Sequence, residues 1–128
     1  MLAVFLIVTL AAIGMYLVTV STGQGLAVAQ DVQGVRAYQA ARAGIEWGTY
    51  RRLIGSSCAA STPLTFTNPG LSGFRAEVTC VPVGSETEGT ATVAVYLITS
   101  KGCNANPCSP ATPAPTYVER VLQITITQ

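Results

Sequence analysis

Four cysteines, Cys58, Cys80, Cys103 and Cys108, are the residues of this chain best suited to covalent chemistry. All four lie in its second part, in a small region rich in turn-forming residues. An even number of thiols in such a setting is the pattern of disulfides made in an oxidising compartment, periplasmic or extracellular. The competing reading is free, buried thiols in a reducing compartment. Four cysteines allow three pairings. Cys103 and Cys108 stand close enough to bridge each other across a small loop, which leaves Cys58 with Cys80. This connectivity is the one expected, and its Cys58–Cys80 bridge ties the post-helix loop to the first strand.

Other reactive constellations are missing. The chain has no histidine, which removes most metal sites, haem attachment and Ser-His arrangements together. The closest cysteine pair is spaced as C-x4-C, unlike the C-x-x-C of zinc and redox sites. No glycine cluster follows a strand in a phosphate-cradling pattern. Glu86 and Glu88 are the only close carboxylates, and they read as a solvated turn, with weak cation binding as the alternative. No catalytic residue, metal site or cofactor is expected, and the chain is not expected to be an enzyme. Net charge is +1 and charged residues make up 10% of the chain, so no basic patch points to nucleic acid.

What must position the cysteines is organised around residues 1–54. No charged residue precedes Asp31, and no proline interrupts the stretch. The run MLAVFLIVTLAAIGMYLVTV is apolar enough to predict a membrane-spanning helix of about 20 residues. The following segment keeps helical character, and at 1.5 Å per residue the whole would form a rod of roughly 80 Å. Gly14, Gly23 and Gly25 predict a weak joint, each interior glycine costing a helix up to about 1 kcal/mol against alanine. Close helix packing is the other reading of these small residues. The run lacks the basic start of a secretory signal and reads as a segment from which a leader has been removed.

From Leu26 to Ile54 two dry strips are expected. Ala37, Ala40, Ala41, Gly44 and Gly48 fall on one third of the circumference at about 100° per residue. Such a smooth strip lets a sheet approach closely, so Ala37, Ala41, Gly44 and Gly48 are assigned to helix–sheet packing. Val28, Val32, Val35 and Leu53 form a second strip roughly opposite. A helix with two dry faces needs two partners, its own head and a neighbour. Asp31, Arg36, Arg42 and Glu46 read as a solvated face or as inter-subunit contacts. Arg51 and Arg52 suit the negative end of the helix dipole, and Gly55 is the expected stop.

The chain thus divides into 1–25, an apolar transmembrane or filament-core helix; 26–54, its amphipathic continuation on the head; and 55–128, a disulfide-stapled head. In the head, Phe74–Val81 alternates and is expected to end at Pro82, while Thr90–Thr99 and Tyr117–Thr127 read as two further strands. A short extended piece at Leu64–Phe66 is compatible with the pattern. Short connections favour an antiparallel meander, lying with its apolar side on the alanine–glycine strip. The proline-rich run from Lys101 to Thr116 is expected to be irregular. The fold class is α+β: a long N-terminal helix packed on a small antiparallel sheet.

A long N-terminal helix with a charge-free half, followed by a small disulfide-bonded antiparallel sheet, resembles the type IV pilin superfamily. Within it, DVQGVRAYQAARAGIEWGTYRRL, YVERVLQITIT and the loop Cys103-Asn-Ala-Asn-Pro-Cys108 are similar to the pilin-like proteins of mannose-sensitive haemagglutinin (MSHA) pilus systems. The resemblance implies a leader cut by a prepilin peptidase ahead of Met1, with methylation of its amine. It implies residence in the inner membrane before assembly, and then a helical homo-oligomer, or mixed filament with other pilins, built on the cell surface by inner-membrane machinery. Adhesion is among the roles of such fibres. It also implies a helix unwound near Gly14 in the fibre. One departure is Phe5, where the family usually carries a glutamate thought to pair with a neighbour's terminal amine. A repeated structural subunit of the filament is the first reading, and Phe5 raises the alternative of a minor subunit that primes assembly or caps the tip. A membrane-tethered periplasmic binding domain that never polymerises is the third reading.

Overall fold

Helix, hairpin and edge strands follow one another without a crossover: α1 (Leu2–Leu53), β1 (Thr62–Thr65), β2 (Arg75–Glu88), β3 (Ala91–Cys103) and β4 (Glu119–Thr127). These elements come from a computed structural model of the chain, which describes residues 2–128 apart from the side chains of residues 19–27. The chain divides into two units, Met1–Val32 and Gln33–Gln128.

The N-terminal expectation is corrected. The helical part of the expectation holds as α1, but its apolar half is not of transmembrane type. No helix among the described residues is long and apolar enough to cross a membrane. The expected weak joint lies largely outside the described residues, since Gly23 and Gly25 fall between 19 and 27.

In the second unit the sheet is antiparallel throughout, in the order β1-β2-β3-β4. The β2–β3 hairpin is longer than the sequence suggests, because Pro82 does not end β2. Ala94 and Gln128 exchange both backbone hydrogen bonds, at 2.8 and 2.9 Å. Hydrogen-bonded and non-bonded pairs alternate along an antiparallel ladder, so even-numbered residues of β3 address β4 and odd-numbered ones address β2. Through the register Thr79↔Thr99 and Val81↔Leu97, the even residues of β2 then point away from β3. Cys80 shows it, donating its N–H outward to the Ala59 carbonyl at 3.0 Å. Pro82 is the next even position, so its missing N–H falls on a free edge, where proline costs no ladder bond. A bulge between Pro82 and Gly84 then re-registers the strand as far as Glu88.

Two other boundaries shift. The short strand before the hairpin is Thr62–Thr65, paired with β2 at Thr62↔Val78, and the last strand starts at Glu119. The helix end is set by Ser56, whose φ is 48°, and not by Gly55. The Ser57 N–H returns to the Arg51 carbonyl at 3.1 Å, and the Gln128 side-chain amide donates to the Leu53 carbonyl at 3.3 Å. These bonds satisfy carbonyls that a helix end otherwise leaves open.

The core forms where small helix residues meet one face of β2 and β3. Ala37, Ala40 and Ala41 are fully buried, as are Ala76 and Ile98, and Val78 is nearly so. Phe74 packs with Ala37 and Ala40, and Phe66, Leu71 and Val118 close that end. Val78, Cys80 and Ile98 form the other end, covered by Ile45, Trp47, Leu64, Tyr96 and Ile126. The helix covers β2 and β3 well and β4 partially: Ile124, on the same face as Ile98, stays 39% exposed.

Candidate assembly surface and docked cysteine loop

Residues 2–14 present apolar side chains that stay largely exposed. Leu2 is 77% exposed, Phe5 67% and Leu10 67%. Gly14 lies in open space, and a Cβ there would meet no atom within 4 Å. Among the described residues Phe5 is thus exposed and Gly14 open, while Met1 lies outside them. Val28, Val32, Val35 and Leu53, the second dry strip, are likewise exposed. Tyr50 is exposed as well, whereas Trp47 is half-buried beside Val78 and Ile98. Monomeric proteins rarely leave large contiguous apolar surface in water. A surface of this kind is suited to burial against other chains, not to holding a small molecule.

The four helix–sheet residues are brought together with the sheet. A Cβ on Gly48 would lie 2.9 Å from both Val78 and Ile98. At Gly44 the Ser100 hydroxyl fills the place that a Cβ would take. Two glycines outside the expected strip matter equally. Gly102 on β3 meets the backbone of Ala37 and Ala41, and Gly34 lies under the Arg120 guanidinium. Gly102 was legible in principle, because it continues the alternation Ile98, Ser100, Gly102 on the buried face. Arg52 stacks its guanidinium 3.9 Å from the centre of the Tyr96 ring, a cation–π contact that sequence spacing does not announce. Arg42 and Glu46 pair at 3.1 Å on an exposed helix face, worth a few tenths of a kcal/mol.

The cysteines pair as Cys58–Cys80 and Cys103–Cys108. The second bridge closes a loop that docks on the sheet through carboxylates from distant strands. Glu77 accepts the Cys108 N–H at 2.9 Å, and the Arg75 guanidinium donates to the Asn106 side chain. Lys101 donates to the Ser109 hydroxyl at 2.5 Å and lies 4.0 Å from Glu119. Tyr117 donates its hydroxyl to Glu119 and accepts the Ser109 N–H at 2.9 Å. Burial first, and then the hydrogen bond to Glu119, push the Tyr117 hydroxyl above its ordinary 10.0. Asn104 braces both loop ends, donating to the Thr116 carbonyl at 2.8 Å and accepting the Val118 N–H at 2.9 Å.

Among the described residues no cluster of three or more His, Cys, Asp or Glu could hold a metal ion. A cavity of about 140 Å³ lies beside Trp47, Arg51, Val78 and Cys80, and is smaller than usual ligand pockets of about 300 Å³ or more. Glu86 and Glu88 are exposed in the hairpin end. No protein-family profile, no curated protein and no solved structure matches this chain.

Proposed function

We propose that this chain is a structural subunit of a bacterial type IV pilus-like extracellular filament, with its N-terminal helical stretch as the buried assembly element. The observation that carries the reading is the exposed apolar surface of residues 2–14, which has no charged residue and leaves Leu2 77%, Phe5 67% and Leu10 67% exposed. Copies of the same stretch are suited to bury one another, since apolar area removed from water contributes about 25 cal/mol per Å². Val28 and Val32 of the same unit are exposed as well. In this reading the head, stapled by Cys58–Cys80 and Cys103–Cys108, coats the fibre. A prepilin peptidase and inner-membrane machinery supply the subunits, with processing and methylation at Met1. Electron microscopy of sheared, purified surface fibres tests it: repeating density must accommodate this chain, and density that excludes it from the repeat removes the reading.

A second reading rests on Phe5. An apolar residue there cannot neutralise a neighbour's buried amine, and an unpartnered buried charge is costly. A minor subunit that primes assembly or caps the tip avoids that contact. Deleting the gene would then abolish fibres while the protein stays scarce within them. Normal fibres in the deletion strain remove this version.

A further inference from the structure

The two edges of the sheet are treated differently. Along the β1 side, the free edge of β2 is broken by Pro82, by the bulge before Gly84 and by the charges of Glu86 and Glu88. These are the devices by which natural proteins blunt a sheet edge. The opposite edge, β4, runs ERVLQITIT for nine residues with no proline and no bulge.

The ladder phase shows what that edge offers. Gln128 faces β3 with both of its backbone groups, so Ile126, Ile124, Leu122 and Arg120 face β3 as well. The odd residues Glu119, Val121, Gln123, Thr125 and Thr127 turn their N–H and C=O outward. Arg120 caps one of these groups, donating to the Glu119 carbonyl at 3.0 Å. Among the described residues, nothing bonds to the outward backbone groups of Val121, Gln123, Thr125 or Thr127. Val121 is also 47% exposed and Ile124 39%.

We infer that β4 is a strand-addition site whose occupant is β4 of a second copy of this chain, paired antiparallel about a two-fold axis through Gln123. The sequence is self-complementary in that register. Outward-facing residues meet outward-facing residues: Gln123 opposite the partner's Gln123, and Val121 opposite the partner's Thr125. On the helix side Leu122 lies beside the partner's Ile124, so the exposed isoleucine gains an apolar neighbour. The charges segregate, because Glu119 and Arg120 of each copy fall at opposite ends, across from the partner's Thr127 and Ile126. A register centred on Arg120 is also allowed by the ladder phase, but it sets two arginines face to face, which is destabilising. Two-fold pairing cannot be the repeating step of a fibre whose subunits all point one way. It therefore acts between unassembled subunits or between fibres, and its failure leaves the filament reading standing.

The test uses the full chain in detergent micelles with single cysteines under mild oxidation. Hydrogen-bonded antiparallel partners have Cα atoms about 5.5 Å apart, within disulfide reach. Gln123→Cys is expected to give a covalent dimer as the main product. Thr125→Cys alone stays monomeric, but cross-links when mixed with Val121→Cys. Adding Thr125→Pro to Gln123→Cys removes an outward N–H and suppresses the dimer. Equal cross-linking at every position, or none at Gln123, overturns the inference. Should the variants misfold, hydrogen exchange on the unmodified chain decides it. The amides of residues 121, 123, 125 and 127 gain protection as protein concentration rises, and amides unprotected at all concentrations overturn it.

Discussion

Gly44 of the helix and Ser100 of the central strand approach so closely that a methyl group on the glycine would occupy the position of the serine hydroxyl. That contact sets the distance between helix and sheet. Gly44→Ala must push the two apart or strain the sheet, and is expected to lower head stability by about 3 kcal/mol. Gly14→Ala, which meets no atom within 4 Å, is expected to leave head unfolding unchanged. Denaturant unfolding followed by Trp47 fluorescence compares the two.

The Ser100 hydroxyl is fully buried and has no hydrogen-bond partner. A buried polar group left unpaired costs about 1–3 kcal/mol. Ser100→Ala removes the hydroxyl while keeping the Cβ, so stability is expected to rise by about 1 kcal/mol. The same unfolding measurement checks it, and a loss of stability would show that the hydroxyl has a partner in solution.

The two disulfides should contribute unequally. Cys58 and Cys80 are 22 residues apart, Cys103 and Cys108 only 5. Loop-closure entropy then assigns about 3.4 kcal/mol to the first and about 2 kcal/mol to the second. Removing Cys58 and Cys80 together is expected to lower the thermal midpoint more than removing Cys103 and Cys108. The second double variant should instead loosen the loop, read as faster hydrogen exchange at Cys108 and Ser109.

Loop docking is expected to fail in strong alkali. The folded state raises the Tyr117 pKa, chiefly by burial. The unfolded chain therefore loses this proton first as pH rises. The Tyr117 contribution is complete below the ordinary tyrosine value of about 10 and is lost as pH climbs through the raised folded value. The phenolate absorbance of the native protein, compared with Tyr117→Phe, should show one tyrosine titrating late. A Tyr117→Phe difference spectrum with its midpoint at the ordinary value would contradict the arrangement.

Much of the head was legible because its cues are local or periodic. Small residues repeating at Ala37, Ala41, Gly44 and Gly48 announce a face that something approaches closely. The alternation Phe74, Ala76, Val78, Cys80 announces which side of a strand is buried. The short C-x4-C loop makes its own pairing the least costly in chain entropy. Pro82 misled because a proline is read as a strand end unless one knows which way its missing N–H points. Gly55 misled because Ser56, a residue less tolerant of positive φ, takes the left-handed position.

By itself, the sequence determined that this chain has a charge-free apolar beginning, a smooth helix face and a small disulfide-bonded sheet. Residue type and spacing carry those facts. Only the tertiary structure decided the anchoring of the cysteine loop by Glu77 and Glu119 and the phase of the sheet. The anchors lie 31 and 10 residues from the groups they hold, beyond the reach of any local pattern. The phase decides that Pro82 falls harmlessly on one edge while the backbone of Gln123 lies bare on the other. It is set by which residues exchange hydrogen bonds across strands, and a one-residue shift would have reversed both outcomes.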